Sequence, residues 1–173
     1  MSNDIEDKAL VDVARFMCVA ARTAPKAKGV DNIVTKIVEG ANLQKLASKM
    51  KYFAEKENKP GFARDADGIL KCPCVVLIGT KIAPIGLTFC SFCGWPDCAT
   101  MSKKGGVCSY NSLDLGIAVG SAVSVASNFR VDNRIMYSVG LTAVKMGLLP
   151  DTVKIAIGIP LSATGKNIFF DRG

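Results

Sequence analysis

The sequence predicts an α+β domain, and three observations carry that expectation. Helix-spaced and strand-spaced apolar patterns follow one another without the regular alternation of a doubly wound fold. The run Cys74-Val-Val-Leu-Ile-Gly79 is apolar at every position, as expected of a strand buried on both faces. With 173 residues, 49% of them apolar, the chain can bury one sizeable core and is short for two domains. A single domain over 1–173 is therefore expected.

In order along the chain, Ile5, Ala9, Leu10, Val13, Phe16, Met17 and Ala20 recur every three or four residues, predicting a helix from Ile5 to Ala21. Asn3 and Glu6 have capping-box spacing, and Pro25 ends the helix, because proline disfavours helical geometry in the residue before it. Ile33, Val34, Ile37 and Val38 predict a strand closing at Gly40. A second helix follows Asn42, with Leu43, Leu46, Ala47, Met50, Phe53 and Ala54 on one face and Lys59-Pro60-Gly61 as its stop. A polar stretch around Arg64–Asp67 leads to the buried strand. The segment 82–110 carries repeated Gly and Pro without periodicity and is expected to be a long loop, which in a compact domain is usually functional. Leu115, Ala118, Val119, Ala122, Val125 and Ala126 form the clearest helical stripe, with Asp114 near its positive end. Arg134–Val139 reads as a strand, Leu141–Met146 as a short helix ended by Gly147, and Val153–Ile159 as a final β-branched strand.

Composition narrows the chemistry. The chain has no histidine, so the commonest acid–base catalyst and the usual nitrogen ligand for zinc or copper are both missing. Lys and Arg give a net charge of +7 but are dispersed and lack aromatic interleaving. The reading is solvated surface plus a local phosphate site, with no nucleic acid as partner. The acidic start is unlike a secretory leader, and the longest apolar stretch, Leu115–Ala126, falls short of the ~18 residues of a membrane span. A cytoplasmic protein without a membrane anchor is expected.

Seven cysteines are an odd number and too few for a disulfide scaffold of this length. Four of them, Cys90, Cys93, Cys98 and Cys108, lie within nineteen residues in the pattern C-x2-C-x4-C-x9-C. Four thiolates are the usual ligand set of an iron–sulfur cluster and also of structural zinc. Zinc sites more often use two short pairs and this loop has one, which puts a cluster ahead of zinc. Of the cluster types, 4Fe–4S is expected ahead of 2Fe–2S. Phe89, Phe92 and Trp95 are candidates to shield such a centre, or simply to give the loop a small core of its own. Cys72 and Cys74 flank Pro73 at the entry to the buried strand. Like Cys18, they read as packing residues, with spare ligands or a redox pair as the alternative for Cys72 and Cys74.

Ala20-Ala-Arg-Thr-Ala-Pro25, Val34-Thr-Lys-Ile-Val-Glu39, Asp114-Leu-Gly-Ile-Ala-Val-Gly120, Leu148-Leu-Pro-Asp151 and Ile157-Gly-Ile-Pro160 resemble segments of the nitroreductases. The whole chain, with its cysteine loop and the ending Gly158-Ile-Pro-Leu-Ser-Ala-Thr-Gly-Lys-Asn-Ile-Phe-Phe-Asp-Arg172, is more similar to uncharacterised proteins described as containing a ferredoxin domain. The resemblances imply a nitroreductase-like mixed sheet flanked by helices, an iron–sulfur cluster on the cysteine loop, FMN as a second cofactor and a homodimer. Lys166 stands where nitroreductases place a basic phosphate contact. Arg22, Lys26, Lys28 and Arg172 are further candidates for a flavin phosphate, the plain reading of each being a surface charge. The expected function is electron transfer to a redox partner protein or to flavin. The alternatives are a flavin-dependent reductase, which would make the protein an oxidoreductase of unknown substrate, a zinc-stabilised interaction module and a thiol-redox sensor.

Overall fold

A computed structural model of the chain describes residues 4–170. Helix α1 (Asp4–Thr23) buries Leu10, Val13, Ala14, Met17 and Ala21; of the stripe read from the sequence, Leu10, Val13 and Met17 face the core, while Ile5, Ala9 and Phe16 are exposed. It stops where Ala24-Pro25 begins, and a short 3-10 turn at Ala27–Gly29 leads into β1 (Ile33–Glu39). Helices α2 (Gly40–Lys56) and α3 (Pro60–Ile69) come next, then β2 (Cys74–Lys81). Beyond the cysteine segment and its one-and-a-half-turn helix α4 (Cys98–Lys103) lie α5 (Ser109–Asn128), β3 (Asp132–Asn133), α6 (Tyr137–Lys145) and β4 (Val153–Ser162).

The strands form one sheet in the order β1-β2-β4-β3. Ile33 pairs with Thr80 and Glu39 with Cys74 across β1 and β2, while Cys74 pairs with Leu161 across β2 and β4. Side chains alternate across a strand, so Cys74, Val76 and Ile78 face a core made with α1 and α5, while Val75 and Leu77 face a core made with α2, α3 and α6. The buried strand read from Cys74–Gly79 is thus β2, one of the two interior strands. Its near-complete apolar character follows from having helices on both faces.

Four local expectations differ from the structure. The sheet was expected to be mixed, but every strand pairing among the described residues is antiparallel. The α+β class and the nitroreductase-like fold stand. The polar stretch 64–67 lies within α3, which buries Phe62, Asp65, Ala66 and Ile69; Pro60 starts this helix rather than only ending the previous one, since its missing N–H costs nothing in a first turn. Arg134–Val139 is not a strand. Met136 makes a single reciprocal bridge to Gly158 (2.8 and 3.0 Å), and the chain then turns into α6. That helix sits directly on β4 because two glycines meet there: a Cβ at Gly140 would stand 1.9 Å from the Ala156 carbonyl oxygen, and one at Gly158 would stand 2.2 Å from Val139 Cγ1. Finally, the segment expected to be a continuous loop contains α4.

Candidate metal centre

The cysteine segment leaves β2 under restraint. The Ile82 amide donates to the Thr152 carbonyl (3.0 Å), and the Ala83 amide donates to Oδ1 of Asn111 (3.1 Å), a side chain wholly buried in the first turn of α5. The chain then folds tightly on itself. Phe89 and Ser91, on either side of Cys90, have φ of 53° and 48°, a left-handed conformation that side chains disfavour. The Gly94 amide closes a turn onto the Ser91 carbonyl (2.9 Å), and the Ser91 hydroxyl reaches the Pro96 carbonyl (3.2 Å).

Asp97 ends this coil and starts the next element. Its Oδ1 accepts the Thr100 amide at 2.7 Å, capping α4, whose first residue is Cys98. That hydrogen bond, supported by the Thr100 side chain and the Ala99 amide, holds the carboxyl below its usual value against a small opposing effect of desolvation. After α4 the Gly106 amide returns to the Met101 carbonyl (2.9 Å). The fit there is close: a Cβ would lie 2.9 Å from Met101 Cγ and 3.1 Å from Trp95 Nε1, so a side chain would have to displace Met101. Cys108 then occupies the N-cap position of α5, and the Ser109 hydroxyl contacts the Phe92 carbonyl (3.4 Å), tying the two ends of the segment together.

Ile85, Met101 and Cys108 make a small buried core here, packed by Leu87, Cys93, Trp95, Tyr110 and Ala27. Cys93 and Cys108 therefore share one apolar environment, while Cys90 and Cys98 are half-buried on the same segment. All seven thiols are free of disulfides. Among the described residues no three His, Cys, Asp or Glu side chains converge into a grouping that could hold a metal ion. The donor set fits a metal–thiolate centre in kind, four sulfurs on one tightly wound segment. Its side chains do not converge on a common point. Of the expected shielding aromatics, Trp95 packs inward, Phe92 leans on Tyr110 with ring centroids 5.4 Å apart, and Phe89 is fully exposed.

The remaining thiols sit elsewhere. Cys72 and Cys74 are buried at the entry to β2, with Sγ donating to the carbonyls of Gly68 (3.4 Å) and Leu10 (3.9 Å). Desolvation pushes both pKa values up to about 12. Cys18 is raised as well, again chiefly by burial. These three are protonated packing thiols at neutral pH.

The basic residues expected to meet a phosphate have local partners. Lys26 Nζ donates to the carbonyls of Ala21 (3.2 Å), Arg22 (2.6 Å) and Ala24 (2.8 Å), so all three ammonium protons cap the end of α1. Arg22 donates to the Ile33 carbonyl (2.7 Å) and pairs with Asp31. Burial would raise the Asp31 pKa, but the Arg22 and Ile33 hydrogen bonds outweigh it, and the net shift is downward. Lys28, in the left-handed region at φ 56°, and Lys166 are exposed, and Arg172 lies outside the described residues. Sequence reasoning did not find the tie between the Ala27 amide and buried Asp114 (3.1 and 3.2 Å), which joins the α1–β1 connection to α5. It also passed over the Asp97–Thr100 cap, whose three-residue N-cap spacing was legible.

The fold is of the nitroreductase class. A nitroreductase with bound FMN from Desulfitobacterium hafniense superposes with a TM-score of 0.60 at 13% identity, covering 90% of this chain and 78% of that one. The nitroreductase CinD of Lactococcus lactis, in complex with nicotinic acid, gives 0.61 at 12% identity over 95% and 84%. The family is a narrower one. A family model described as "Uncharacterized protein containing a ferredoxin domain (DUF2148)" matches residues 104–172, and an uncharacterised protein of Archaeoglobus fulgidus is 38% identical over 98% of this chain and 95% of its own length. The chain belongs to this family of ferredoxin-domain proteins. The family match takes in Cys108 alone of the four loop thiols.

Proposed function

We propose that the protein is an iron–sulfur electron carrier in which Cys90, Cys93, Cys98 and Cys108 ligate one cluster, of the 4Fe–4S type, on a nitroreductase-like scaffold. The observation that carries this reading is the partition of the thiols. Cys72 and Cys74 are buried in the main cores and Cys18 packs half-buried against one of them, whereas the other four occupy one tightly wound segment anchored to β2 and α5. The family's ferredoxin description supports the same reading.

Such a cluster supplies one-electron transfer. The chain's own residues would hold and shelter it. Asp97 fixes the start of α4 and hence the backbone at Cys98, and the α5 N-terminus fixes Cys108. Ile85, Met101 and Trp95 exclude water from one side. No three metal-ligating side chains converge among the described residues, so ligation by all four thiols would require the cysteine segment to rearrange.

A flavin-dependent reductase is the second reading, favoured by the FMN bound to the Desulfitobacterium nitroreductase. With Lys26 engaged in capping, Lys166, Lys28 and Arg172 would be left as its phosphate contacts. A homodimer fits either reading, because α5 leaves Leu113 and Ile117 exposed beside Gly116 and Gly120. A zinc-stabilised module is the third, resting on the donor set alone. No helix among the described residues is long and apolar enough to cross a membrane.

The discriminating experiment is an anaerobic redox titration of the purified protein followed by visible absorption and by fluorescence of denatured supernatant. Reversible bleaching of a broad visible absorption band, without released flavin, supports the carrier. Stoichiometric released flavin moves the protein to the reductase class, and a protein without visible absorption or flavin contradicts both.

A further inference from the structure

A cavity of about 420 Å³ lies on the α2/α3/α6 side of the sheet, well away in sequence from the cysteine segment. Its walls come from α3, from the residues between β3 and α6, and from the chain after β4. That last segment is built in rather than draped over. Asn167 Nδ2 donates to Asp132 (2.8 Å), Asn167 Oδ1 accepts the amides of Phe169 and Phe170 (3.0 and 3.2 Å), and the Phe169 side chain is buried in the core.

The charges around this cavity do not balance locally. Asp65 is buried and satisfied: one oxygen accepts both Nε and a terminal nitrogen of Arg64 (3.1 and 2.9 Å), and the other accepts the Ser138 hydroxyl (2.6 Å). Asp67 is paired with Lys51 at 2.7 Å. Two cations, Lys71 and Arg134, then have no acidic partner among the described residues. Arg134 is half-buried, with five N–H donors, one carbonyl acceptor at the long distance of 3.4 Å (Phe169) and the Phe170 ring at 5.5 Å. A half-buried guanidinium with most of its donors unmatched by protein acceptors is open to an anionic ligand. Here it faces a space of the size that takes small ligands.

We propose that this cavity binds a small molecule through a phosphate group, with the Arg134 guanidinium as the forked donor and the Lys71 ammonium as the second charge. Planar guanidinium matches phosphate oxygens in pairs, and lysine adds a mobile point charge. Arg64 contributes orientation rather than net charge, because Asp65 already neutralises it. The site is separate from the cysteine segment, so it stands or falls independently of the cluster.

The test is calorimetric titration of the full-length purified protein with inorganic pyrophosphate, beside Lys71→Ala, Arg134→Gln and a surface control, Lys45→Ala. The proposal expects saturable binding that Lys71→Ala and Arg134→Gln each weaken by about tenfold, with Lys45→Ala unchanged. Lys71 is exposed and outside the cores, so its variant tests the site even where Arg134→Gln disturbs the fold. Non-saturable binding, or Lys71→Ala binding as tightly as the parent, overturns the proposal.

Discussion

The Asp97 carboxylate accepts the Thr100 amide at 2.7 Å, and that single hydrogen bond fixes where the helix carrying Cys98 begins. Replacing Asp97 with Ala should loosen 86–103 without unfolding the sheet. Amide exchange in α4 should accelerate while exchange in β2 stays slow. Because the Asp97 pKa is depressed in the folded state, the cap contributes at and above neutral pH and is lost as pH falls below the usual carboxylate value of 3.8. Segment order that is flat with pH in the parent and equally protected in the variant would deny the cap this role.

Ligation by four thiolates makes the cysteines unequal. Cys93→Ser and Cys98→Ser should each lose most of the bound metal, whereas Cys18→Ser, a half-buried thiol packed against the α1/α5 core, should keep it. Equal retention in the three variants would remove the ligand assignment.

Alkylation should divide the thiols in the same way. With metal stripped by chelator at pH 8, a thiolate-selective reagent should modify Cys90, Cys93 and Cys98 quickly. Cys72 and Cys74, with pKa values near about 12, remain protonated and buried until the protein unfolds. Peptide mass analysis of a timed reaction reads this directly, and early labelling of Cys74 would contradict its placement at the sheet core.

The α6–β4 contact tolerates no side chain at Gly140, where a Cβ would sit 1.9 Å from backbone oxygen. Gly140→Ala should cost about 3 kcal/mol, lowering Tm by roughly 6–12 °C in a domain of this size. An unchanged melting temperature would mean that the helix does not lie against Ala156.

Lys26 is a structural cap by its geometry, with a side chain only 6% exposed. Lys26→Met should therefore destabilise the fold by about 2 kcal/mol through three unsatisfied carbonyls. If the variant instead kept full stability and lost only flavin or phosphate affinity, Lys26 would be a ligand contact.

The sequence made some of this legible and hid the rest for physical reasons. Strand β2 was readable because a strand between two helical layers must be apolar at every position, as Cys74–Gly79 is. The α1 stripe was readable in part: Leu10, Val13 and Met17 keep a three-to-four spacing and are buried, but Ile5 and Phe16, apolar at the same spacing, are exposed. Helix α3 was obscured by Pro60, which signals a stop and a start with equal force, and by the charged residues Arg64, Asp65 and Asp67, of which Asp65 is buried. At Arg134–Val139 the β-like composition was outweighed by tertiary contacts: Ser138 is drawn to Asp65, and Gly140 lets a helix settle onto Gly158. At the candidate centre, spacing identified which four thiols share a segment. It could not give their side-chain directions, which depend on left-handed residues at 89 and 91 and on a cap at 97. The basic candidates were chosen by charge, and charge does not reveal that Lys26 turns back onto its own helix.

The central claim, one iron–sulfur cluster on Cys90, Cys93, Cys98 and Cys108, is met most directly by anaerobic purification with iron, acid-labile sulfide and zinc measured on a single sample. The account predicts a brown protein with iron and sulfide in equal amounts, close to four of each per chain. A colourless protein carrying one zinc per chain, or no metal at all, would contradict it.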